Sequence, residues 1–81
     1  MSPEQCRAAR GWLGWSQQDL ADRAHVGLST VRDFEKGRRA PIANNLDAMR
    51  RVLELAGVHL VFAPDGTPEG ITTARRDADA A

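Results

Sequence analysis

At 81 residues, 42% of them hydrophobic and 27% charged, the chain has room for one small domain and the composition of a globular rather than a disordered or fibrous protein. Its formal net charge is zero, but the charge is unevenly placed: −1 over residues 1–22, +4 over 23–51 and −3 over 52–81. Cys6 is the single cysteine, which excludes an internal disulfide, and the sequence shows no His/Cys spacing for a metal, no cofactor motif, no apolar run of about 18 residues and no signal-peptide pattern. The expectation is a cytoplasmic protein with no membrane partner.

Ser2-Pro3-Glu4-Gln5 reads as a helix start, with Ser2 as cap, Pro3 at the first helical position and Gln5 closing a capping box. Cys6, Ala9 and Leu13 form an apolar stripe with Trp12 at its edge, while Arg7 and Arg10 point elsewhere, and Gly14 is the predicted stop. Ser16 caps a second, short helix with Asp19 in its first turn, presenting Leu20, Ala21 and Ala24 inward and ending near His25. Leu28, Val31 and Phe34 mark a third helix, closed by Gly37 in the left-handed conformation. After the basic connector Arg38-Arg39-Ala40-Pro41, Asn44 with Asp47 signals a fourth helix whose buried face is Leu46, Met49, Leu53 and Ala56.

Beyond Gly57 the period falls from 3.6 to 2. Val58, Leu60 and Phe62 share one face of a strand, His59 and Val61 the other, and Pro64-Asp65-Gly66 turns the chain toward a second strand over Ile71–Ala74. The predicted fold is mainly α: a four-helix domain over residues 1–57, a β-hairpin over 58–74 and a flexible tail over 75–81. A chain this short buries only about 60–65% of its unfolded surface, and an isolated hairpin is marginal. Both points predict a homodimer paired through the hairpin, with Val58, Leu60, Val61, Phe62 and Ile71 as the dimerisation residues.

Two short helices joined by a turn of about three residues, the second basic and closed by glycine, are laid out as a helix-turn-helix. The stretch Trp15 to Ala24, with Val31, Phe34-Glu35-Lys36-Gly37 and Arg38-Arg39-Ala40-Pro41, resembles the Cro-like, phage-repressor (xenobiotic response element, XRE) family of transcription regulators over roughly residues 2–57. The resemblance implies double-stranded DNA as partner, with the helix from Leu28 in the major groove. Leu28, Ser29, Thr30, Arg32 and Asp33 then match base-contacting positions, and Ser16, Gln17, Lys36, Arg38 and Arg39 match phosphate-contacting ones. The chemistry agrees: Arg32 can donate twice to guanine, Leu28 can touch a thymine methyl, and Asp33 can accept from cytosine or hold Arg32 or Arg23. The family usually carries Gly in the turn and Ser as the cap of the reading helix, where this chain has His25 and Gly27.

Plainer roles stand beside these. Leu28 is either core or groove contact, and Gln17 either braces its helix or meets phosphate, or both. Trp12 and Trp15 read as packing anchors, Cys6 as inert core, Arg50 and Arg51 as solvated helix surface, and His25 and His59 as too far apart for a metal or acid-base pair. The expected function is a DNA-binding regulator, most simply a repressor on a palindromic operator. The alternative is an antitoxin or protein-interaction module with a protein partner. An enzyme is not expected, since no nucleophile-base pair, phosphate loop or metal spacing is present.

Overall fold

The computed structural model describes residues 1–73. Four helices, α1 (Pro3–Leu13), α2 (Gln17–Ala24), α3 (Leu28–Glu35) and α4 (Ala43–Leu55), are followed by an antiparallel hairpin of β1 (Val58–Phe62) and β2 (Pro68–Thr73). The first two helices start on capping boxes, Ser2 with Gln5 and Ser16 with Asp19, each pairing two backbone N–H groups that the helix leaves open. The first three helices end alike. Gly14, His25 and Gly37 take the left-handed conformation, and the next residue's N–H reaches back five positions, Trp15 to Arg10, Val26 to Ala21 and Arg38 to Asp33. His25, at φ 57° and ψ 43°, does this without being glycine.

The core draws on five of the six elements: Cys6 and Ala9, Leu20, Ala21 and Ala24, Val31 and Phe34, Met49 and Leu53, and Val58 are all buried. Small alanines on α2 let α3 and α4 approach closely, and Leu13, Trp15, Leu46, Val52 and Ile71 close the periphery. Val58 and Ile71 bind the hairpin into this core, so the hairpin packs as part of the helical body. Gln5, buried on α1, donates from Nε2 to the carbonyls of Val61 and Gly70, both at 2.9 Å.

Five local expectations are corrected. Helix α4 begins at Ala43 after Ile42, with no side-chain cap; Asn44 lies inside it, and Asp47 pairs with Arg50 at 2.5 Å. Ala56 is exposed, because it follows the last helical residue where the chain turns away from the core. Phe62 is 43% exposed at the end of β1, where the pairing shifts register and passes over Glu69 of β2, so burial does not extend along the whole face of Val58 and Leu60. The second strand begins at Pro68, three residues before Ile71; Ala74 and the tail 75–81 lie outside the described residues. Trp12, at 63% exposed, is no packing anchor, whereas Trp15 packs on the core and carries the Arg23 guanidinium 4.2 Å from its ring centroid.

Candidate nucleic-acid interface

Helix α3 divides its residues by face. Val31, Phe34 and Glu35 are buried, Ser29, Arg32 and the adjoining Lys36 are exposed, and Leu28, Thr30 and Asp33 are half-buried. Leu28 is half-buried and stands outside the core cluster. The surface of α3 therefore presents a hydroxyl, a guanidinium, an ammonium and a carboxylate along one helical strip. Gly27 begins the helix with no side-chain cap, so the first N–H groups of α3 face outward without a side-chain partner.

Beside this strip a shallow cleft of about 230 Å³ is lined by Ser29, Thr30 and Asp33 of α3, Arg39 to Ile42 of the connector and Asn45 of α4. The fold thus brings Arg39 next to three of the residues that sequence matched to base contact. Arg38 is exposed just before it. Among the described residues, neither Arg32, Lys36, Arg38 nor Arg39 is in an ion pair, in contrast to Arg10 and Arg50.

The angle of α3 is held from below by Glu35. This buried carboxylate accepts two hydrogen bonds from Arg10, Nε to Oε2 and Nη2 to Oε1, both at 2.6 Å. Gln17 Nε2 adds 3.0 Å to Oε1 and the Cys6 thiol 3.1 Å to Oε2, while Arg7 donates to the Glu35 carbonyl. Burial pushes the Glu35 carboxyl up, but the bonds from Arg10, Gln17 and Cys6 and the Arg10 charge outweigh it and leave the group below its usual range. The Arg10 guanidinium is raised by the same bond. Burial, and then Glu35, push the Cys6 thiol far above its ordinary range, so it stays protonated.

Gln17 is therefore a brace in this structure, half-buried at the start of α2 with its amide on Glu35. Ser16 is exposed beside it, and its oxygen accepts from Asp19 N–H at 3.0 Å while its own N–H donates to the Asp19 carboxylate. The Ser16 bonds hold the Asp19 carboxyl below its usual range. Ser16 and Gln17 lie outside the cleft beside α3 and define a second patch at the N-terminus of α2. The joint through Glu35, with Arg10 and Arg7, was not singled out from sequence. Its signal was a carboxylate four positions after Val31, on a core-facing stripe where a charge needs a buried partner.

A family model described as Helix-turn-helix matches residues 7–59. The chain belongs to the XRE/Cro-like helix-turn-helix family. No curated protein matches it. The family is one of DNA-binding regulator domains rather than of enzymes, and this chain is a DNA-binding transcription regulator of the XRE type. In this helix-turn-helix regulator α2 and α3 are the paired helices, joined by His25, Val26 and Gly27. No helix among the regulator's described residues is long and apolar enough to cross a membrane.

Proposed function

We propose that the regulator is a sequence-specific repressor that binds a palindromic operator as a homodimer. The observation that carries this reading is the open strip of α3, with Ser29 and Arg32 exposed and Val31, Phe34 and Glu35 locked beneath them. In this reading Leu28, Ser29, Thr30, Arg32 and Asp33 meet base edges, Arg32 having the geometry for guanine O6 and N7. Lys36, Arg38 and Arg39 sit on phosphates, as do Ser16 and the start of α2, whose Gln17 also aims α3 through Glu35. The homodimer pairs through the hairpin with Leu60, Val61 and Phe62. Val58, fully buried, and Ile71, packed on the core, serve the subunit instead. Two-fold symmetry then repeats the half-site about 34 Å along the duplex, and occupancy of a promoter blocks polymerase.

The test is titration of the regulator against fragments of its own upstream region. Saturable retention that weakens steeply with salt is expected, and no retention even at about 50 mM salt would refute the reading. Arg32→Ala is expected to cost about 1–3 kcal/mol on the preferred site and to relax its sequence preference. An equal loss on random DNA would move Arg32 from base to backbone contact.

One surface favours the second reading, a protein-interaction module of the antitoxin kind. Leu55 is 87% exposed beside Val52, Ala56, Trp15 and Arg23, which line an open apolar hollow away from the α3 strip. A protein partner retained after nuclease treatment and released by Leu55→Glu supports it; retention that Leu55→Glu leaves untouched counts against it.

A further inference from the structure

Gln5 is 2% exposed, and its side-chain amide is fully engaged. Nε2 donates one hydrogen to Val61 O and the other to Gly70 O, each at 2.9 Å, and Oε1 accepts from Ser2 N–H at 2.9 Å. Val61 and Gly70 are register partners on opposite strands, and the register shifts immediately after Val61. The amide therefore clips both strands together to the first turn of α1, at the point where the ladder is interrupted. An apolar side chain of the same volume would make neither of these bonds, and Gln5 is the polar member of the side that α1 buries with Cys6 and Ala9.

The next residues of α1 hold the other end of the molecule. Cys6 and Arg10 donate to the Glu35 carboxylate and Arg7 to its carbonyl, so a single helix runs from the hairpin clip to the brace under α3. In a dimer joined through the hairpins, the angle between hairpin and α3 sets the separation of the two reading helices. That angle matters on a fine scale. A swing of about 10° through half of the molecule's 41 Å long axis displaces a reading helix by about 3.5 Å, one base-pair step.

We propose that Gln5 is a positioning residue that fixes the hairpin's angle to α3 and thereby the operator half-site spacing that the regulator accepts. This rests on the hairpin-paired homodimer proposed above. The experiment measures binding of the full chain to a single half-site and to inverted half-sites separated by spacers of graded length. Wild type is expected to prefer one spacing, and Gln5→Leu to keep half-site affinity within about twofold while its preference over spacers one base pair longer or shorter falls at least about fivefold. Where Gln5→Leu does not fold by circular dichroism, Gln5→Asn, one methylene too short to bridge both carbonyls, is scored by the same criterion. A variant that keeps the wild-type spacing profile overturns the role of Gln5 alone. A wild type with no spacing preference overturns the dimer reading and the role of Gln5 together.

Discussion

Among the described residues Glu35 and Arg10 form the one ion pair of the interior, with side chains 2% and 18% exposed, and their bidentate geometry leaves little of either charge unmatched. Replacing one partner strands the other. Glu35→Gln keeps the shape and leaves the Arg10 guanidinium without a counter-charge, so it is expected to lower stability by about 3 kcal/mol in urea unfolding at neutral pH. The pH dependence follows from the direction of the shift. The folded carboxyl lies below its usual range while the unfolded one titrates near about 4.3, so its contribution is full above about pH 5 and is lost as pH falls through the folded value. The gap between wild type and Glu35→Gln should therefore narrow as pH falls below the unfolded value and close only below the folded one, and a gap of constant size across pH would show that the charge is not what matters.

At the scale of elements, the unit α2–turn–α3 is set by three residues. Ser16 starts it, His25 reverses it and Gly37 ends it. His25 occupies a left-handed position that costs a side chain about 1 kcal/mol or more, while glycine there gives back part of the gain as chain entropy. His25→Gly should thus stabilise by about 0.5 kcal/mol and raise Tm by about 3 °C in thermal unfolding, whereas the β-branched His25→Val should lower it. A lower Tm for His25→Gly would mean that the imidazole makes a contact worth more than the strain.

These same residues explain what could be read before any coordinates. Ser2, Ser16, Gly14 and Gly37 act on backbone groups within five positions of themselves, so the ends of the first three helices are written locally, and so is the period of their buried faces. The start of α4 was misplaced because Ile42 begins it by backbone conformation alone, with no side chain to announce it. The exposure of Phe62 was not legible because alternation fixes which face a side chain shares but not how far along the strand the core extends. At the interface, the open face of α3 was legible from the spacing of Val31 and Phe34. The brace was not, since Arg10 and Glu35 are separated by 25 positions and meet only when α1 packs on α3. The same holds for Gln5, read as a cap and found also to be a clip 56 and 65 positions along the chain.

For the whole molecule, neutrality hides a division of labour. The +4 of residues 23–51 includes Arg32, Lys36, Arg38 and Arg39, while −3 falls on residues 52–81. In the proposed dimer, with Lys36, Arg38 and Arg39 of each subunit on phosphate, counter-ions would leave about six phosphates. The logarithm of affinity should then fall against the logarithm of salt with a slope of about −5 between about 50 and 200 mM. Arg39→Ala should bring the slope to about −4 on specific and random duplex alike, measured by fluorescence anisotropy. A wild-type slope shallower than about −2 would place these cations off the backbone.

The burial of Cys6 has a practical corollary. Its thiol is sealed at 0% exposure, held protonated, and in contact with the carboxylate that steadies α3. An alkylating reagent can consume it only when that joint opens. The rate of Cys6 labelling therefore reports how readily the packing around Cys6 opens, its contact with Glu35 included.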